Sequence, residues 1–89
     1  MPETIVIVPT YNELAGLEEI VHRIRSAVPI ATVLIVDDSS PDGTGELADR
    51  LAANDRSVRV LHRTTKDGLG QAYLAGFAVA TAEGFEYIV

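Results

Sequence analysis

The stretch 33–44, VLIVDDSSPDGT, decides the fold of this chain. Val33, Leu34, Ile35 and Val36 form an apolar run without polar alternation, the pattern of a strand covered on both faces, as in a parallel sheet flanked by helices. The run stops at two adjacent carboxylates, Asp37 and Asp38, followed by Ser39, Ser40, Pro41, Asp42 and Gly43. This is a strand entering a loop. In open parallel sheets ligands bind beyond the carboxyl ends of the strands. Asp37 and Asp38 are therefore expected at that edge, where their charge stays hydrated or meets a ligand and is not buried unpaired.

Working outward, residues 4–8 form an earlier β-branched apolar run, and Pro9 removes a backbone donor where that strand is expected to end. Between the two strands Asn12 is placed to cap a helix, with Glu13 in its first turn. Leu17, Ile20, Val21, Ile24 and Val28 form its inner face and Pro29 closes it. Glu18 and Glu19 stand four residues before His22 and Arg23, the spacing of solvent-facing charge pairs, so His22 receives no catalytic role.

Beyond the central stretch, Asp42 or Thr44 is placed to cap a second helix whose inner stripe is Leu47, Ala48, Leu51 and Ala52. Asn54 and Asp55 end it. Residues 58–61 form a third strand, and residues 62–67 a polar loop carrying Arg63 and Lys66. A third helix follows, with Leu69, Ala72, Tyr73, Gly76, Phe77 and Ala80 on one face. Its small residues let it lie close to a sheet, and Gly84 fits its C-terminal cap. Residues 85–89 begin a fourth strand. Strands alternating with helices call for an α/β fold, a Rossmann-like parallel sheet with flanking helices and right-handed crossovers.

Composition narrows the function. The 89 residues, 47% of them hydrophobic, support one modest core, below the usual domain size of about 100–150 residues. The chain has no cysteine, hence no disulfide framework and no thiolate metal site, as suits a reducing compartment. A net charge of −6 argues against non-specific binding of nucleic acid or anionic membranes. The N-terminal segment lacks a signal peptide's basic and apolar regions, and no apolar stretch reaches the roughly 18–20 residues of a spanning helix.

Three stretches fall on one edge of the expected sheet: PTYNE at 9–13, DDSSPDGT at 37–44 and KDGLGQA at 66–72. Together they resemble the family 2 glycosyltransferases, whose nucleotide-sugar-binding fold is of the GT-A type. The pairing of DDSSPDGT with GLGQAY is similar to the dolichol-phosphate and polyprenol-phosphate mannose synthases. The resemblance spans essentially the whole chain and implies the N-terminal half of a GT-A domain over residues 1–89.

What the resemblance implies is transfer of mannose from GDP-mannose, or a related nucleotide sugar, to a polyprenyl phosphate, with inversion at the sugar carbon and a divalent metal, Mg or Mn. Pro9, Tyr11 and Glu13 would line the nucleotide pocket, with Val36 and Asp38 also touching the nucleoside. Tyr11 offers an aromatic face to a base, and Glu13 and Asp38 accept hydrogen bonds from base or ribose. None of these neutralises a diphosphate, a task for a metal with oxygen ligands. In the family an acidic metal-binding motif follows the strand that ends at Val89. No catalytic or metal-binding residue is therefore expected within these 89 residues, and the isolated segment is expected to form no glycolipid. The complete enzyme would act in the cytoplasm, at the membrane's cytoplasmic face through parts outside this segment.

Plainer roles compete for each residue. Asp37 and Asp38 can cap backbone donors in an Asx turn. His62 reads as a strand-end residue, and Arg63 and Lys66 as a solvated loop, with Lys66 a weak phosphate candidate. A phosphoacceptor receiver domain also pairs acidic residues at strand ends, but no third aspartate ends the strand at 58–61. A dinucleotide fingerprint fails because Tyr73 occupies its third glycine position. A non-catalytic nucleotide-binding remnant is the remaining alternative.

Overall fold

The computed structural model describes residues 3–64 and 68–89. The elements are β1 (Thr4–Thr10), α1 (Leu17–Ala27), β2 (Thr32–Asp37), α2 (Thr44–Asn54), β3 (Val58–His62), α3 (Leu69–Ala82) and β4 (Tyr87–Ile88). All pairings are parallel, in the order β3-β2-β1-β4. The α/β class expected from the alternation is the one observed. After β3 the chain crosses back over the sheet through α3 to β4, so the strand order reverses beside β1, the arrangement that opens a crevice at the carboxyl edge.

The two faces of β2 sort the helices. Val33 and Ile35 pack with Leu17 and Val21 of α1, Ala48 of α2 and Val58 of β3. Leu34 and Val36 pack with Ile5 and Ile7 of β1 and with Ala72 and Ala80 of α3. The unbroken apolar run therefore serves two cores, one on each side. On α3 the buried positions are Ala72, Gly76 and Ala80. As expected of small residues, they bring the helix against the sheet. Leu69 and Phe77, expected on that face, are half exposed, at 50% and 43%. The 72-76-80 stripe follows i, i+4 spacing and leaves Phe77 about 100° round the helix from it, whereas Leu69 lies on the stripe's side but at the first position of α3, where it lines a cavity and not the sheet.

Several local expectations are corrected. Pro9 does not end β1, which continues to Thr10 with Pro9 opposite Val36. Ile5 and Ile7 direct their backbone groups to Val89 on the β4 side. By the two-residue alternation the missing donor of Pro9 falls on that same side, beyond Val89, and no bond to β2 is lost. On α1 only Leu17 and Val21 are buried, while Ile20 and Val28 are more than a third exposed. β3 extends one residue further, to His62, and regular pairing in β4 is confined to Tyr87–Ile88.

Helix ends follow their sequence signals more closely. Gly84 adopts φ +82°, its N–H donates to the carbonyl of Thr81, and the N–H of Phe85 donates to that of Ala80. This is a Schellman ending, with Phe85 packed against the α3 core. α1 stops two residues before Pro29. The Arg25 guanidinium, in its last turn, donates to the carbonyls of Pro29 and Ala31 and pairs with Asp55 at 2.8 Å. The Asp55 carboxyl is held below its ordinary value by the hydrogen bond from Arg25 and by the Ser57 N–H.

Candidate functional site

Register places the site. Thr10, Asp37 and His62 lie side by side as the last residues of β1, β2 and β3. The next residue of each strand, Tyr11, Asp38 and Arg63, forms a second row at the carboxyl edge. Two bonds continue the ladder into it: Asp38 N–H donates to the Thr10 carbonyl at 3.2 Å, and Arg63 N–H to the Asp37 carbonyl at 2.8 Å.

The two carboxylates divide their work. Asp37 accepts from the Thr10 hydroxyl at 2.9 Å and from the hydroxyl and N–H of Ser40 at 2.6 and 3.1 Å. It organises the turn, which is the plainer of its two expected roles. Asp38 is met by Arg63, whose Nη1 donates to both carboxylate oxygens at 3.0 and 3.1 Å. Neither is hydrated as expected: Asp37 is 2% and Asp38 1% exposed. Burial is tolerable because Asp37 is satisfied by three hydrogen bonds and Asp38 is paired with Arg63. Arg63, expected as part of a solvated loop, is the counter-ion. Nothing in its immediate sequence marks it, because only the parallel register of β2 and β3 sets it beside Asp38.

The loop after β1 is laced to the loop after β2. Three successive N–H groups donate across the gap, from Asn12 to the Ser40 hydroxyl (2.9 Å), Glu13 to the Thr44 hydroxyl (2.9 Å) and Leu14 to the Asp42 carboxylate (3.1 Å). Thr44 is fully buried, and its hydroxyl donates to Asp42, which also accepts the Thr44 N–H. These bonds hold the Asp42 carboxyl below its ordinary value, the Thr44 hydroxyl foremost, partly offset by desolvation. The expected side-chain cap of α2 by Asp42 or Thr44 is not formed: the N-cap is Gly43, Thr44 is the first helical residue, and Asp42 accepts the Thr44 N–H in an Asx turn just before the helix. Asn12 is not a helix cap. It sits at φ +56° in a left-handed turn, and α1 begins only at Leu17 after Gly16. Glu13 is likewise outside the helix, and its carbonyl accepts from the N–H groups of Gly16 and Leu17.

Above this edge opens a cavity of about 340 Å³, lined among the described residues by Tyr11, Asp38, Gly68 and Leu69. Gly68, at φ +100°, leads into α3, so the start of that helix lines one side of the cavity. Of the expected nucleoside residues, Tyr11 and Asp38 meet here. Pro9 and Val36 pair just beneath, the Val36 side chain committed to the α3 core. Glu13 follows in the laced loop. Lys66 lies outside the described residues. His62 is a strand-end residue, as read from the sequence, and its Nε2 lies 2.8 Å from Asp49. Among the described residues no group of three or more His, Asp or Glu could hold a metal ion, and no helix is long and apolar enough to cross a membrane.

The chain is similar to several mannosyltransferases. It is 56% identical over 85 residues to an undecaprenyl-phosphate mannosyltransferase of Micrococcus luteus, covering 96% of this chain and 35% of that protein. It is 54% identical over 87 residues to a polyprenol monophosphomannose synthase of Mycolicibacterium smegmatis, covering 97% and 33%. It thus spans about a third of the length of these relatives. A mannosyltransferase of Pyrobaculum calidifontis, solved with GDP-Man and Mn2+, superposes with a TM-score of 0.78 at 30% identity, covering 89% of this chain and 24% of the other. The sequence model of glycosyl transferase family 2 matches residues 5–89, and the chain belongs to that family.

Proposed function

We propose that these residues form the nucleotide-binding, N-terminal part of a GT-A domain that transfers mannose from GDP-mannose to a polyprenyl phosphate. The observation that carries the reading is the cavity where Tyr11 and Asp38 meet beside the start of α3. The two bacterial relatives, named for polyprenyl-phosphate mannose transfer, support the sugar and the acceptor, and the Pyrobaculum mannosyltransferase solved with GDP-Man supports the donor.

In this reading Tyr11 presents its ring to the base, and Asp38 and Glu13 accept hydrogen bonds from base or ribose donors. Pro9 and Val36, paired in the strands leading to Tyr11 and Asp38, set the position of those two residues through their backbone. The lacing of residues 12–14 to Ser40, Thr44 and Asp42 fixes the Tyr11 loop before ligand arrives, so less ordering is required on binding. A divalent ion, Mg2+ or Mn2+, would screen the diphosphate when bound. The described residues do not fit such an ion: Asp37 and Asp38 are engaged by Thr10, Ser40 and Arg63, and no third carboxylate joins them. The ion is therefore held by other groups, and the nucleoside contacts act without it. The complete enzyme works at the cytoplasmic face of the membrane.

Calorimetric titration with GDP-mannose and with UDP-glucose tests the reading. Saturable binding that prefers GDP-mannose, with Tyr11 amide shifts in a parallel NMR titration, is expected. Absence of binding at millimolar ligand, or shifts confined to the opposite end of the sheet, would overturn it.

A further inference from the structure

We infer that Arg63 is a positioning residue for base selection, holding the Asp38 carboxylate oriented so that it accepts a base edge carrying adjacent N–H donors. The inference rests on the nucleotide-binding reading above. It deepens that reading by adding a residue and a chemical criterion for the base.

Four features converge. First, the pair is shielded, with the Asp38 side chain 2% and the Arg63 side chain 16% exposed, so solvent competes little with the contact that sets the carboxylate's orientation. Second, Arg63 is fixed at its backbone as well: its N–H donates to the Asp37 carbonyl at 2.8 Å and its own carbonyl accepts the Ser39 hydroxyl at 2.5 Å. Third, a single nitrogen, Nη1, serves both Asp38 oxygens, and an ionised carboxylate has about four lone-pair sites. One site on each oxygen is used, and acceptor capacity remains. Fourth, the neighbouring carboxylate, Asp37, already accepts from Thr10 and twice from Ser40, so Asp38 is the one placed to accept from a ligand in the cavity it lines.

An acceptor-only pair of oxygens favours a base with two adjacent donors. Guanine presents N1–H beside its 2-amino group. Hypoxanthine lacks the amino group, adenine has an unprotonated ring nitrogen in place of N1–H, and uracil flanks its N3–H with carbonyls. Removing Arg63 leaves the buried carboxylate without its counter-charge. Without the two Nη1 bonds its oxygens lose their fixed orientation, and the two acceptors no longer face one base edge together.

The test uses nucleosides, which need neither phosphate nor metal. Guanosine and inosine are titrated into ¹⁵N-labelled protein, and the ratio of their dissociation constants is read for wild type, Arg63→Gln, Asp38→Asn and the double variant. Wild type is expected to bind guanosine tighter than inosine by about tenfold, the loss typical of a hydrogen-bonding site left unpaired. Arg63→Gln should bring the ratio to within about twofold of unity with amide dispersion retained. A loop anchor alone would weaken both nucleosides by the same factor and leave the ratio standing, which would overturn the inference. If Arg63→Gln does not fold, Asp38→Asn and the double variant decide, because neither buries an unpaired carboxylate. Equal ratios in these two are expected. A further change on adding Arg63→Gln to Asp38→Asn would mean that Arg63 acts on the base directly, against the inference. Failure of wild type to bind any nucleoside would overturn the nucleotide-binding reading itself, whereas binding of guanosine and inosine with equal affinity would overturn only the base criterion.

Discussion

A Cβ added to Gly76 of α3 would stand 2.7 Å from Cγ2 of Ile7 on β1 and 3.0 Å from Cγ2 of Val36 on β2. Both partners are side chains of the packed core beneath the helix, with little room to give. This approach holds α3 low on the sheet, and with it the Gly68–Leu69 wall of the cavity.

Gly76→Ala is therefore expected to destabilise the fold by about 1–3 kcal/mol through overpacking, despite a helix-propensity gain of about 1 kcal/mol. Gly70 is the control, because a Cβ there meets nothing within 4 Å. Gly70→Ala should be neutral or stabilising by up to about 1 kcal/mol. Urea unfolding of the two variants checks the pair, and equal effects would contradict the packing account.

Thr44→Val removes one hydroxyl from the centre of the lacing. The Glu13 N–H loses its acceptor and Asp42 loses a donor, which should cost about 1–3 kcal/mol for groups left without partners. Faster hydrogen exchange at residues 12–14 is expected, together with weaker GDP-mannose binding. Unchanged exchange there would mean that the loop is held by other contacts.

Tyr11 and Asp38 should separate stability from binding. Tyr11 is 37% exposed, so Tyr11→Ala is expected to leave the unfolding midpoint within about 0.5 kcal/mol of wild type while weakening GDP-mannose binding. Asp38→Ala removes the carboxylate that the partly buried Arg63 Nη1 meets. A loss of about 1–3 kcal/mol is expected in addition to weaker binding, less than for a fully buried pair because Arg63 retains some solvent. Chemical denaturation beside calorimetry distinguishes the two patterns.

Acid should unfold this protein through its carboxylates. Asp42, Asp55 and Glu83 are all held below their ordinary values of 3.8, 3.8 and 4.5. The first is lowered chiefly by the Thr44 hydroxyl, the second by Arg25 and the third by Arg59. A lowered folded-state value means that the unfolded chain binds protons first on acidification. The stabilisation is complete above those ordinary values and is lost as pH falls through the lower folded ones. Stability should thus be flat near neutrality and fall below about pH 4.5. Asp55→Asn should reduce the slope in that window, and a slope unchanged from wild type would assign the transition to other groups.

Strand and helix order, the parallel class and the edge carrying PTYNE and DDSSPDGT are all local properties of the sequence. A doubly apolar run such as 33–36 needs cover on both faces, and a chain that alternates such runs with amphipathic helices has few ways to provide it. The small residues at 72, 76 and 80 announced a close helix in the same way, and Gly84 announced its end.

What the tertiary structure decided concerns partners distant in the chain. Asp38 and Arg63 are 25 residues apart, and only the register of β2 on β3 makes one the counter-ion of the other, so that a carboxylate expected to stay hydrated or meet a ligand is buried against an arginine. Asn12 has the composition of a helix cap, yet its N–H goes to Ser40, because long-range bonds to the second loop hold residues 12–14 outside the helix. Propensity and spacing act over a few residues, whereas charge pairing and loop lacing depend on which strand ends the sheet brings side by side.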